Sequence, residues 1–335
     1  MYWLKLVKKK ILTVVIYIFL FEILFQTAFF ADFKFIKQPD LFYNGYCDQK
    51  YWNLNEKRIN YRKKYLPHSI LSFQKKGIFI PHKFHQNKLV EKKEFLKNEI
   101  ALYGASYLDH PEFKNILEDN KNLIINNYAL ESYGLDQTYL SYKLTSHLNQ
   151  NKTIVFGFLL EDLDRSIFNF REYQKVQFIF DNNKFELKNT PIKLNKEVVK
   201  SYDFYLYRFL KNFYNLSVNK FDPRLSKCKI DNKKDLFNYY FQNIVNESKK
   251  YNQKIIVITF NLQQDLTTTT SWRYKFIKNY FAKHNIIHID SLEIMNNKSI
   301  ETNEKIENYF GLDAHNNKKS FHYIIDEFLS IYRAI

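Results

Sequence analysis

The sequence predicts an α/β fold: a three-layer α/β/α sandwich preceded by one N-terminal transmembrane helix. Three observations predict it. An almost wholly apolar run extends from Ile11 to Phe30. From residue 99 onward, short β-branched segments recur that are apolar on both faces rather than alternating, as expected of parallel strands covered on both sides. Amphipathic segments separate them, which is the rhythm of a sheet layered between helices.

Residues 1–10 are a short basic tail with Lys5, Lys8, Lys9 and Lys10. Residues 11–31 are the predicted anchor. At about 1.5 Å per residue its apolar core spans roughly 30 Å, the thickness of a bilayer's hydrocarbon. A cleaved signal has a shorter apolar core and a small-x-small cleavage site; here Ala31 follows two phenylalanines. The preceding lysines keep the N-terminus cytoplasmic and send the rest of the chain across, to the periplasmic or extracellular side. Glu22 lies inside this span, where a carboxylate costs a few kcal/mol unless it faces a partner.

Residues 32–97 are polar and aromatic without a clear period, and read as a membrane-proximal extension. His82 and His85 stand three apart in "PHKFH", but no cysteine or carboxylate partner sits at ligand spacing, so they read as surface histidines and no metal is expected. Cys47 and Cys228 are too few for a metal framework or a disulfide scaffold. Outside the cytoplasm they could pair, and the sequence leaves that open.

Residues 98–335 form the predicted α/β domain. Its strands are "EIALYG" (99–104), "NLIINNYA" (122–129), "TIVFGFLL" (153–160), "KIIVITFN" (254–261) and "NIIHID" (285–290). Helical segments fall near 111–120, 136–149, 233–252, 272–284 and 318–333. An insertion at about 165–232 interrupts the rhythm. It holds a hairpin over 176–192, turning at Asp181-Asn182-Asn183, and a Tyr/Phe-rich helical stretch to about 216. No internal repeat is present.

The net charge is +16, but basic residues are spread along the chain with no zinc-finger or RNA-binding signature, which argues against nucleic acid. A generally basic surface suits an anionic membrane or polysaccharide. The chain has only 6 glycines where an average one of this size carries roughly 23. Gly104, Gly134, Gly157 and Gly311 all lie beside segments singled out here on other grounds.

Ligands of an open α/β sheet bind at the carboxyl ends of its strands. After the first strand comes Ser106, and after the second comes "NNYALESYGLDQ", with Asn127 and Ser132. The third is followed by Glu161, Asp162, Asp164 and Arg165, and the fourth by Asn261 and Gln263. Asp313 and His315 precede the last helix. A serine hydroxyl is a weak nucleophile until a base touches it and a third group orients that base. Ser106, His315 and Asp313 could supply these parts. Each also has an ordinary reading: Ser106 or Asp313 as a helix cap, His315 as a solvated loop residue.

These segments resemble the SGNH/GDSL hydrolase superfamily, particularly its membrane-anchored, cell-envelope members, over roughly residues 98–333. Gly104-Ala105-Ser106 is similar to the Gly-Asp-Ser block, Asn127 through Gln137 to the second block, "FGFLLEDLDR" to the third, and Asp313 with His315 to the last. The resemblance implies a flavodoxin-like, five-stranded parallel sheet and cleavage or transfer of acyl esters without cofactor or metal. It also implies Ser106 as nucleophile, His315 as base and Asp313 as its orienting acid. The Ser106 and Ser132 amides, with Asn127 as a further candidate, would form the oxyanion hole. The substrate class it implies is an acylated carbohydrate or another ester.

The sequence departs from these blocks. Ala105 replaces an aspartate, Ser132 replaces a glycine, and the last block reads Asp-x-His. Glu161 stands where the family places an oxyanion-hole asparagine. An ionised carboxylate donates no hydrogen bond and repels a developing oxyanion. Loss of one such donor costs on the order of 10²–10³ in rate. The expectation is therefore a serine esterase or O-acyltransferase, with a catalytically inactive glycan- or partner-binding domain as the alternative.

Overall fold

The computed structural model describes residues 2–31, 33–37, 42, 64–84, 96, 98–120, 122–168, 170–171, 173–181, 184–192, 204–218, 233–263, 266, 272–312 and 314–335. Asp313, His85, Cys47 and Cys228 lie outside them. The chain divides into two compact units, Met1–Pro67 with Phe168–Lys175 and Ile192–Asp231, and His68–Ile167 with Val176–Pro191 and Asn232–Ile335. The second unit begins at His68, ahead of the expected start at residue 98. Of the expected insertion, the hairpin belongs to the second unit and the flanking segments to the first.

The first unit is built on α1 (Tyr2–Phe30). Its stretch Leu6–Phe30 is long and apolar enough to cross a membrane. Phe25, Phe29 and Phe42 pack with Tyr205 and Phe209 of a second helix of this unit, over Tyr205–Val218.

The second unit contains the sheet. A short hairpin, β1 (Leu66–His68) and β2 (Ser72–Gln74), precedes it. Then come β3 (Glu99–Gly104), α2 (Pro111–Glu118), β4 (Ile124–Asn127), α3 (Leu135–Thr145) and β5 (Thr153–Leu159). The short helix α4 (Asp162–Arg165) follows. β6 (Phe170–Arg171) and β7 (Tyr173–Gln174), which belong to the first unit, form one small ribbon. The expected hairpin is β8 (Gln177–Asp181) paired with β9 (Lys184–Lys188). The helix Tyr205–Val218 of the first unit is α5. The chain continues through α6 (Lys233–Lys250), β10 (Lys254–Phe260), α7 (Trp272–Lys283) and β11 (Ile287–Asp290). It closes with α8 (Ser291–Thr302) and α9 (Lys318–Ala334).

The sheet is parallel throughout, in the order β11-β10-β5-β3-β4. Numbered by sequence among themselves, its strands run 2-1-3-4-5, the flavodoxin-like order. Successive side chains of a strand point to opposite faces, and both faces are covered. Ile100, Leu102, Val155, Ile256 and Ile258 join Phe113 of α2, Met295 of α8 and Phe321, Ile324 and Phe328 of α9. On the other face Tyr103 packs on Tyr142 of α3, and Phe156 and Phe158 pack on Phe241 and Phe237 of α6. Phe158 also meets Phe281 of α7. The architecture is therefore the three-layer α/β/α sandwich, with a five-stranded parallel sheet.

Candidate active site

In a 2-1-3-4-5 sheet the connections change sides between the first and third strands, here β3 and β5, and their diverging loops leave a crevice at the carboxyl rim. At that rim Gly104 is in register with Gly157. The two backbones approach so closely that a Cβ on Gly104 would lie 2.0 Å from the Gly157 carbonyl oxygen, and one on Gly157 would lie 2.4 Å from Leu108 Cγ. Only glycine fits either position. The approach lets the Ala105 N–H donate to Gly157 O at 3.3 Å, and Ser106 follows directly at the carboxyl rim.

Ser106 Oγ lies 3.2 Å from His315 Nε2, across 209 residues of sequence. Both residues are half-buried. His315 is held by a tight loop: the Gly311 N–H donates to His315 O at 2.7 Å, and the Ala314 N–H to Gly311 O at 3.0 Å. Ala314 takes a left-handed φ of 64°. The Gln263 N–H, from the loop after β10, donates to Ala314 O at 3.2 Å. The ring of Tyr107 sets the imidazole's tilt. It is buried, packs against His315 with centroids 4.7 Å apart, and anchors its hydroxyl by donating to Asn261 O at 2.9 Å.

The ordinary reading of Ser106 as a cap does not apply, while that of Asp313 falls outside the described residues. His110 occupies the N-cap of α2, its ring nitrogen accepting from the Glu112 N–H, and Asn317 caps α9, accepting from the Ser320 N–H. Among the described residues the Ser106 N–H has no hydrogen-bond acceptor, so it is available to an oxyanion.

The second block serves largely as a brace. Asn127 accepts from the Ala129 N–H at 2.9 Å, and its amide donates to Leu108 O at 3.0 Å, tying the β4 loop to the β3 loop. That commits its side chain to structure. Asp109 pairs with Lys75 and accepts from the Glu131 N–H at 3.4 Å. Ser132 has φ 70°, in the left-handed region that favours glycine. Gln137 accepts from the Gly134 N–H and donates to Leu71 O at 2.7 Å. Tyr133 donates to Phe73 O at 2.6 Å, and together these bonds fasten the hairpin to the domain.

The third block separates its acids. Asp162 is buried and accepts from the Leu159 N–H at 2.8 Å while pairing with Arg165 at 2.5 Å. Asp164 is buried beside Lys233 and Arg273. Glu161 is half-buried and stands at the N-cap of α4, where its side chain makes no capping bond, and among the described residues its carboxylate has no partner.

Sequence reading missed Tyr107 and His110. The available signals were Tyr107's place directly after the nucleophile candidate and His110's place before a helix-starting proline. His82 lies against His68, rings 4.1 Å apart, with its Nδ1 3.0 Å from Ser69 Oγ. Among the described residues no group of three or more His, Cys, Asp or Glu comes together to hold a metal.

No family model matches the chain, and no curated protein matches it. Among solved structures it is similar to a member of the lipolytic protein G-D-S-L family from Veillonella parvula. The likeness is 10% identity and a TM-score of 0.38, covering 71% of this chain and 99% of that one. It is also similar to protein YxiM from Bacillus subtilis, at 9% identity and TM-score 0.38, covering 70% of this chain and 57% of that one. The chain thus spans little more than half of YxiM. At these levels the architecture rests on the strand order above.

Proposed function

We propose that the chain is a membrane-anchored serine esterase or O-acyltransferase that acts on an acyl ester, with an acylated envelope glycan as its substrate class. The observation that carries this reading is the contact between Ser106 Oγ and His315 Nε2, at the crevice where sheets of this order bind ligands.

His315 Nε2 takes the Ser106 hydroxyl proton as Oγ attacks the ester carbonyl. The tetrahedral intermediate collapses to an acyl-serine, and the leaving alkoxide takes the proton back from His315. Water or a sugar hydroxyl then loses its proton to His315 and attacks the acyl-serine, and as the second tetrahedral intermediate collapses the departing Ser106 oxygen takes that proton back from His315. Asp313, two residues before His315, is assigned to orient the imidazole. The Ser106 and Ser132 amides are assigned to the oxyanion. With the basic tail on the cytoplasmic side of α1, this chemistry takes place outside the cytoplasm.

Purified full-length protein in detergent should hydrolyse an activated acetyl ester. Ser106→Ala should lower kcat/KM by about 10⁶. Equal turnover by the two proteins would remove the assignment. A second reading, a non-catalytic domain that binds envelope glycan, is favoured by Glu161 at the position where a donor is needed. In that case a fluorophosphonate would leave Ser106 unlabelled in folded protein.

A further inference from the structure

The exposed face of α5 raises a question that the esterase reading leaves unanswered. One side of this helix is packed: Tyr205 and Asn212 are buried, and Phe209 lies among Phe25 and Phe42 with centroids 5.6 and 5.7 Å away. The other side is also apolar, yet it faces outward. Tyr207, Leu210 and Tyr214 are 57%, 57% and 68% exposed, and Phe204 and Phe213 flank them at 51% and 55%. Tyr207, Leu210, Lys211 and Tyr214 stand at i, i+3, i+4 and i+7, a single stripe along the helix. A helix apolar on both sides belongs in a core or in lipid, and an aromatic stripe carrying a lysine is the composition of a membrane–water interface.

Glu22 points to the same surroundings. Its carboxylate accepts from the Tyr205 N–H at 3.1 Å and the Leu206 N–H at 2.8 Å, the first turn of α5, and from Gln26 Nε2 at 2.6 Å. The one acid in the apolar run is thus the N-terminal cap of α5, and the positive end of that helix faces it. On α1, Glu22, Phe25, Gln26 and Phe29 form the covered face, while Ile23 and Leu24 are exposed at 46% and 59%. Glu22 lies eight residues before Phe30, roughly 12 Å along the helix, so α5 joins α1 near the outer end of the candidate span. The outward stripe of α5 therefore continues the lipid-facing surface of α1.

We propose that α5 is an interfacial membrane helix: it lies in the outer leaflet against α1, capped by Glu22, with Tyr207, Leu210, Phe213 and Tyr214 in lipid. This rests on α1 crossing the membrane and is independent of the chemistry at Ser106. The occupant is the bilayer itself. Lys211 reaches from the same stripe to the phosphate level, and the fit is to a leaflet that bears anionic headgroups.

Spin labels on the full chain reconstituted in vesicles of phosphatidylethanolamine and phosphatidylglycerol test this. In a Cys47→Ser, Cys228→Ser background, one cysteine at a time is introduced by Tyr207→Cys, Leu210→Cys or Tyr214→Cys, with Ile16→Cys as the reference for α1. Collisions with oxygen should exceed those with a water-soluble nickel complex at all four sites, with the labels on α5 shallower than that at position 16. Glu22→Leu should loosen α5 and raise its nickel accessibility while position 16 stays deep. Nickel access at the α5 sites with position 16 still shielded would overturn the interfacial helix and leave the anchor standing. Nickel access at position 16 as well would overturn both.

Discussion

The loops that follow β3 and β5 leave the sheet side by side and put their side chains to opposite uses. The β3 loop keeps its chemistry free. Ser106 caps nothing, touches His315, and is steadied by neighbours rather than by its own bonds: Tyr107 through Asn261, and Asp109 through Lys75 and Glu131. The β5 loop holds three carboxylates in four residues and ties two of them into the fold. The difference teaches that acids on one rim of a sheet are not equivalent. Burial and partners separate the two that hold the loop from Glu161, whose carboxylate has no partner among the described residues.

The largest effect on stability should come from Asp162. Asp162→Ala leaves the Leu159 N–H and Arg165 without their partner in a buried site, which costs about 3 kcal/mol. Glu161→Ala should change stability by no more than about 0.5 kcal/mol. Urea unfolding of the full chain in detergent measures both, and similar midpoints would break the contrast between the two acids.

A second test concerns the hairpin that Gln137 and Tyr133 fasten to the domain. His68 Nδ1 accepts from the Ile70 and Leu71 N–H groups, while Nε2 faces Ile80 O at 3.3 Å and must donate. The ring is therefore neutral with its proton on Nε2. Burial, and then His82 beside it, lowers its pKa from 6.5 to about 4. A base whose folded pKa is depressed supplies stability above its unfolded pKa and loses it as pH falls. Here the loss runs from about pH 6.5 to about pH 4 and amounts to about 3 kcal/mol. His68→Gln should flatten the fall in unfolding midpoint over that window; an unchanged slope would assign the acid sensitivity elsewhere.

Glu161 gives the sharpest test of what the β5 loop does to catalysis. Glu161→Gln or Glu161→Asn replaces a repelling carboxylate with an amide that can donate, and should raise kcat on an activated ester about 10–10²-fold. KM should move little, because the gain belongs to the transition state. No change in a protein that still turns over through Ser106 would place Glu161 outside the oxyanion's reach.

The sequence showed the sheet well because its five strands carry unbroken β-branched runs, and the helices that cover both faces are amphipathic. It missed α8, where Leu292 and Met295 are buried among polar residues and no apolar stripe forms. It also read residues 68–84 as part of an extension. Two strands of three residues have no legible period, and what holds them is Gln137 and Tyr133, some sixty positions away. Ser106 was legible because it follows a strand at the carboxyl rim, and His315 because it stands with Asp313 just before the last helix. Tyr107's support of His315 and Glu22's cap on α5 were not, since each depends on a partner brought close only by folding.

Ser132 yields the smallest predicted effect, and it bears on the β4 loop that completes the crevice. A serine held at φ 70° carries about 1 kcal/mol of backbone strain that a glycine would not, though glycine returns part of that as unfolded-chain entropy. Ser132→Gly should therefore shift stability by less than about 1 kcal/mol in either direction. It also removes a side chain from beside the amide assigned to the oxyanion. On that assignment kcat rises for bulky acyl esters more than for acetyl, since only the larger groups meet the serine side chain. An equal change for both esters would mean that position 132 acts through the backbone alone.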